Sequence, residues 1–149
     1  MELSRSSDIR WVVEDALKFV KREARRGNTY QGLILDPPAY GHGPNGEKWK
    51  LDECLFEMLT ECSAILAPKD SFMVLNLYSN GYSAVLADTV VRSAFSGLLG
   101  KGSQGVVAGP SGAGNQSGSA SPQLSYGELV LRDRFSKALP LSVFSRLVL

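Results

Sequence analysis

Long apolar runs are missing from this sequence: none approaches the roughly 20 residues that a membrane helix requires, so a membrane protein is not expected. Cysteine is scarce as well. Cys54 and Cys62 are the only two, too few and wrongly spaced for a zinc framework, and both fall on one predicted helix, where they read as reduced core thiols. The single histidine, His42, lies in a Gly/Pro/Asn-rich stretch and is expected to face solvent; no metal site is expected. Charge of one sign is lacking too. Sixteen Lys and Arg against fifteen Asp and Glu leave a net charge of +1, which gives no global attraction to nucleic acid and leaves only local patches to provide it. The opening "MELSRSSDIRW" has no apolar core of a signal peptide, so the cytoplasm is the expected address. At 149 residues the chain holds one ordinary domain.

What is present alternates between two periodicities. Ile9–Val13, "IRWVV", is rich in β-branched and aromatic residues and predicts a strand, and "EDALKFVKREARRG" follows it with helical spacing. That helix is predicted to bury Leu17, Val20 and Ala24, to expose Lys18, Lys21, Arg22, Arg25 and Arg26, and to stop at Gly27-Asn28. A strand at Gly32–Asp36 follows, then a loop over Ala39–Lys48. Helix Leu51–Leu66 comes next, carrying Leu51, Leu55, Met58, Leu59, Cys62, Ile65 and Leu66 on one stripe before Pro68. "SFMVLNLYS" reads as a further strand, and Ser83–Phe95 as a helix with Val85, Leu86, Thr89, Val90 and Ala94 facing inward. This βαβαβα order predicts an α/β fold with a parallel sheet between helical layers, three layers in all.

From Ser96 to Ser125 the composition changes to Gly, Ser, Ala, Gln and Pro, which predicts a flexible insert at 96–125 within a single domain spanning 1–149. Order resumes with "GELVL" and "LPLSVFSRLVL", two apolar runs around "RDRFSKA" that predict a terminal antiparallel pair added to the sheet.

Two acidic residues stand at the ends of predicted strands. Asp36 ends an apolar run and opens "DPPAYG", where Pro37 and Pro38 fix their own φ and hold the preceding backbone extended. In open α/β sheets, ligands sit beyond the carboxyl ends of the strands, which is where this carboxylate falls. Asp15 follows "IRWVVE" one helix earlier. Plainer roles exist for each: Asp15 as a helix cap, Asp-Pro-Pro as a turn, the basic helix face as a solvated surface and Trp49 as a packing anchor beside a base-stacking role.

Taken together, "EDALKFVKRE", "LILDPPAYG", "GEKWKL" and "LPLSVFSRL" resemble class I S-adenosylmethionine-dependent methyltransferases. The nearest likeness is to the large-subunit ribosomal RNA cytosine-C5 group, over nearly the whole chain apart from the Gly/Ser insert. The resemblance implies a partial Rossmann-like methyltransferase sheet, S-adenosyl-L-methionine as cofactor and RNA, ribosomal RNA in particular, as partner. It implies that Asp15 accepts from the adenine amino group with Ala16 and Leu17 beside the ring, and that Asp36 lies near the methionine part. Pro37, Pro38 and Tyr40 would border the acceptor pocket. Catalysis would thus rest on Asp36, Pro37, Pro38 and Tyr40, and methyl transfer asks the protein mainly for alignment.

Two departures refine that expectation. The family's Gly-rich turn after the first strand and acid after the second precede the third strand, whose equivalent here starts a few residues after Met1. The chain therefore reads as the C-terminal part of a catalytic domain, a truncated gene model or a split product, binding cofactor weakly alone. It would associate through an exposed sheet edge or with an N-terminal portion. Cytosine-C5 chemistry needs a thiolate, and "LNLYSNGYS" offers none where the family carries its cysteine, so another acceptor atom or molecule is open. A fold that has lost catalysis and serves as a binding or assembly module, and a half-site completed by another chain, are the alternatives.

Overall fold

The computed structural model describes residues 9–43, 46–78, 81–100 and 121–149. Helix α1 spans Ala16–Arg25, and its ends are chemically specified. Asp15 caps it by accepting from the Lys18 amide at 2.8 Å. Past the other end Gly27 sits at φ +70°, and the Asn28 and Gly27 amides donate to the Glu23 and Ala24 carbonyls, the paired bonds of a Schellman motif. The predicted stop at Gly27-Asn28 is therefore met. Val20 is buried, with Leu17 and Ala24 half-buried beside it.

Strand β1, Gly32–Leu35, leads to a short antiparallel hairpin, β2 at Tyr40–His42 and β3 at Lys48–Lys50, in which Gly41 faces Trp49. This hairpin replaces the loop expected over 39–48. Helix α2, Leu51–Ile65, buries the stripe foreseen for it, with Leu59 and Cys62 wholly enclosed. Burial pushes the Cys62 thiol up to about 12, so it stays a protonated apolar filler. Strand β4, Phe72–Leu77, pairs with β1 in parallel, Gly32 opposite Phe72 and Leu35 opposite Leu75. A Cβ on Gly32 would lie 2.7 Å from the Phe72 ring, so a side chain there would have to displace that exposed ring.

Helix α3, Ala84–Ala94, is capped by Ser83 and followed by the short α4, Ser96–Leu99. Its inner face meets the expected one at Ala94 and, half-buried, at Val90, and differs elsewhere. Ala87, Asp88, Val91 and Ala94 are buried, whereas Val85 is 60% exposed and Leu86 and Thr89 face out. The helix is apolar on most of its circumference, so periodicity alone does not choose a face. The small Ala87 and Ala94 permit close approach to the sheet, and Asp88 reaches Arg92 at 2.7 Å.

The terminal pair forms as expected: β5, Gln123–Arg132, and β6, Ala138–Val148, complete a mixed sheet ordered β1-β4-β6-β5, with β6 antiparallel to both neighbours. Of the 96–125 insert, residues 96–99 are helical and 123–125 lie in β5, while 101–120 fall outside the described residues. The α/β class holds. Met73, Leu75 and Leu77 of β4 and Val143 and Leu147 of β6 are buried on one sheet face, and α1 packs on α2 and α2 on α3. On the opposite face Ile34 is 75% exposed and Phe72 is exposed too, so among the described residues the helices form one layer rather than the two of a three-layer stack.

Ile9–Val13 is not a strand: it has no ladder partner, Trp11 is 86% exposed and Val13 is bare. The strand predicted at Ile9–Val13 is thus not formed, and the segment does not pair with β1. β-propensity expresses itself only against a neighbouring strand and a covering face, and this segment has neither. No described helix is long and apolar enough to cross a membrane.

Glu23, buried on α1, accepts from Asn28 Nδ2 at 2.7 Å, from the Tyr30 hydroxyl at 2.8 Å and from Arg26 at 3.1 Å, locking the end of α1 to the approach to β1. The Asn28 bond first, then Tyr30, draws its carboxyl from 4.5 down to about 2. A carboxyl whose folded value is depressed stabilises the fold above its unfolded value and ceases to do so as pH falls through the folded one. Glu23→Gln should therefore flatten the loss of stability between pH 4.5 and about 2, as read by thermal unfolding across that range. A second measurement tests the α3 face. Val91→Ala should cost about 2 kcal/mol in urea unfolding, and Val85→Ala less than about 0.5 kcal/mol.

Candidate active site

The residues around Asp36 are arranged by the register of β1 on β4. Because Leu35 lies opposite Leu75, the next residue of each strand emerges at the same sheet edge, and Asn76 Nδ2 donates to Asp36 Oδ1 at 2.7 Å. Asn76 is a neighbour that sequence reading assigned no part in the site. Its side-chain oxygen is buried without a partner, so the amide has one productive orientation, nitrogen toward the carboxylate. Asp36 is thereby fixed from behind while its second oxygen stays open.

After Asp36 the rigid Pro37-Pro38 edge turns into the β2–β3 hairpin, which folds back so that Trp49 Nε1 donates to the Pro38 carbonyl at 2.7 Å. Trp49 is thus both a packing anchor and a brace for the proline edge. The sequence signal for the hairpin was Asn45-Gly46, a turn dipeptide between "YGH" and "KWK". Ala39 accepts from the Leu51 amide at 3.0 Å, joining the hairpin to the start of α2. Lys18 of α1 pairs with Glu47 of the hairpin, and Lys21 pairs with Glu57 of α2 at 2.6 Å. The exposed lysines of α1 therefore act as ties between elements, and the basic face is largely neutralised.

These elements enclose a cleft of about 750 Å³. Asp15, Ala16 and Leu17 line one wall, and Asp36, Pro37 and Pro38 line another; six of the seven residues proposed from sequence meet here. Tyr40 does not line the cleft and stands 67% exposed on β2. Its chain neighbours Gly41, His42 and Gly43 reach the lining instead. His42, expected in solvent, is exposed yet borders the cleft. Val20, Leu35, Leu55, Met58, Leu75 and Trp49 make the remaining surface mainly apolar.

The electrostatics are one-sided. Glu14, Asp15 and Asp36 all line the cleft, whereas among the described residues no Lys or Arg does. Glu14 is held below the usual carboxylate range by its hydrogen bond from Arg22, which approaches from α1. Asp15 uses one oxygen, Oδ1, to cap the helix, so the capping and cleft-lining roles are compatible. Among the described residues no group of His, Cys, Asp and Glu is placed to hold a metal ion, and both cysteines are free and lie outside the lining.

An apolar slot with acceptors at both ends and net negative charge fits a flat heteroaromatic ring joined to a cationic tail. S-adenosylmethionine has that form, carrying a sulfonium and an ammonium against one carboxylate. Among the described residues the lining offers no cationic side chain to such a ligand's carboxylate.

No family model matches the chain, and no curated protein matches it. A solved structure does: the SAM-dependent methyltransferase from Agrobacterium tumefaciens superposes with a TM-score of 0.73 and 34% sequence identity over 95% of this chain. The chain spans 40% of that protein's length. In fold and in sequence, this chain is similar to part of a SAM-dependent methyltransferase.

Proposed function

We propose that this chain forms the adenine-side and acceptor-side walls of a site for S-adenosylmethionine-dependent methyl transfer to RNA. The observation that carries this reading is the convergence of Asp15 and Asp36, from two separate elements, on one apolar cleft whose lining, among the described residues, holds carboxylates and no Lys or Arg. The cofactor, when bound, supplies a methyl group activated by a positively charged sulfur. The chain's residues would do the rest. The Asp15 oxygen not engaged by the Lys18 amide accepts from the adenine amino group, and Ala16 and Leu17 flank the ring. Asp36, held by Asn76, sets its negative charge against the cationic part. Pro37 and Pro38, braced by Trp49, form a stiff edge against which an acceptor is aligned, and alignment is the main demand of a displacement at carbon.

An acidic cleft also favours the charged cofactor over the neutral thioether left after transfer, which promotes product release. Tyr40 and Lys48, both exposed on the hairpin that walls the cleft, offer a ring and a cation to a nucleotide of the acceptor. A cysteine nucleophile has no candidate in this lining, which favours an acceptor atom other than cytosine C5.

Titration of the isotopically labelled chain with S-adenosylmethionine, followed by amide chemical shifts, tests the reading even at weak affinity. Shifts are expected first at Asp15–Leu17 and at Leu35 and Asp36. Asp15→Asn keeps a good cap but turns an amide N–H toward the adenine amino group. It should leave the thermal midpoint unchanged and weaken binding by at least about tenfold, or about 1.4 kcal/mol. Equal affinity in the variant would return Asp15 to capping alone, and an absence of shifts near Asp36 would remove the cofactor from this cleft.

A further inference from the structure

The cleft opens at the carboxyl edge of β1 and β4, and the ladder shows what else reaches beyond that edge. Strand β4 ends at Leu77, which pairs with Val143 of β6. Because β6 runs antiparallel and begins at Ala138, its residues 138–142, together with β5 from Leu129 to Arg132, continue past the last residue of β4 as a free two-stranded arm. Five residues of strand carry it roughly 15 Å outward, and its base stands two strand spacings, roughly 10 Å, from β1. The ladder is irregular at the root, where Leu129 pairs with Ser142 and Val130 with Pro140, leaving Leu141 as the extra residue of a bulge. A bulge there bends and twists the arm relative to the sheet and accommodates a proline with no amide to give.

The tip is chemically distinct. Asp133 is the turn's organiser: its Oδ1 accepts from the amides of Phe135 at 2.8 Å and Lys137 at 2.9 Å, and its own amide donates to the Lys137 carbonyl at 3.0 Å. The one carboxylate of the tip is thus turned inward. Arg132, Arg134 and Lys137 are all exposed and make no ion pair among the described residues. Phe135 is 67% exposed, with the Arg134 guanidinium 4.7 Å from its ring centre. Glu128, the nearest other acid on the arm, lies at its root opposite Val143. In contrast to Lys18, Lys21 and Arg22 of α1, which are tied to glutamates, this is, among the described residues, a cluster of unpaired positive charge around an exposed ring.

We propose that the projecting half of the β5–β6 hairpin grips a single-stranded nucleic acid segment and delivers it to the cleft at the same sheet edge. The inference rests on the reading of RNA as methyl acceptor and adds to it the strand state and the gripping element. Three cations match successive phosphates, and Phe135, with Arg134 against it, offers a stacking platform that accepts any base. A bent arm of this length bridges the distance between a phosphate backbone and a base lying against Pro37-Pro38.

Fluorescence anisotropy of a labelled single-stranded RNA of about 20 nucleotides, with the same sequence as single-stranded DNA and as duplex RNA, tests the proposal. Binding should favour the single strands. The triple variant Arg132→Ala, Arg134→Ala, Lys137→Ala should weaken it at least tenfold and lower the slope of log affinity against log salt by about 2. Phe135→Ala should weaken it about fivefold or more with little change in salt slope. Unchanged affinity and slope in the triple variant would overturn the proposal. So would a dimer, seen by sedimentation and abolished by Leu129→Ser with Leu131→Ser, whose formation blocks RNA binding, because the arm would then be an interface between two copies. S-adenosylmethionine titrations on the same proteins separate the two readings. Cofactor shifts without RNA binding reject the arm alone, and RNA held through the arm without cofactor shifts rejects the cofactor reading and leaves the arm standing.

Discussion

Strand β4 is the element on which the remaining geometry depends. It takes β1 in parallel on one side and β6 antiparallel on the other, and its inward residues Met73, Leu75 and Leu77 are almost wholly excluded from solvent. A strand so enclosed has no freedom of register, since a slip of one residue would turn its entire buried set toward the other face. Two consequences follow from that single fixed register. Asp36 is carried to the position where Asn76 meets it, and β6 is left overrunning the sheet edge by the length of the arm.

The site is assembled by ties of unequal kinds. Apolar burial sets α2 and β4, whereas α1 and the β2–β3 hairpin, both less buried, are held by polar links: Lys21 to Glu57, Lys18 to Glu47, and the Trp49 indole to Pro38. Exposed ion pairs contribute little stability each, so their significance is positional. They tie α1, which starts at the Asp15 cap, to the hairpin and to α2, elements that line the cleft together with β1.

The two sheet faces explain the uneven exposure of apolar residues. The helices α1, α2 and α3 cover the face of Met73, Leu75 and Leu77, while Ile34 and Phe72 lie open on the other, and Ile9–Val13 has no ladder partner among the described residues. Apolar residues are exposed elsewhere too, at Val85 and Leu86 of α3 and at Leu129, Leu131 and Phe135 of the last hairpin.

How much of this was legible in the sequence depends on the range of the interaction concerned. The α2 stripe, the Gly27-Asn28 stop, the strand before Asp-Pro-Pro and the terminal antiparallel pair follow from periodicity and local turn chemistry, both written in neighbouring residues. So does the cap at Asp15, because an N-cap bond spans three residues. The inner face of α3 did not follow, since Val85, Leu86, Ala87 and Val91 are all apolar and only the neighbouring sheet selects among them. Ile9–Val13 has strand-forming residues, but a strand exists only where a partner offers hydrogen bonds. The sequence by itself marked the residues proposed for the site, Asp15 and the Asp36–Pro38 edge. Only the tertiary structure decided that they share one cleft, that Asn76 and Trp49 brace it while Tyr40 stays outside, and that the basic tip of the last hairpin stands beyond the same edge, because each of those facts is a distance between residues far apart in the chain.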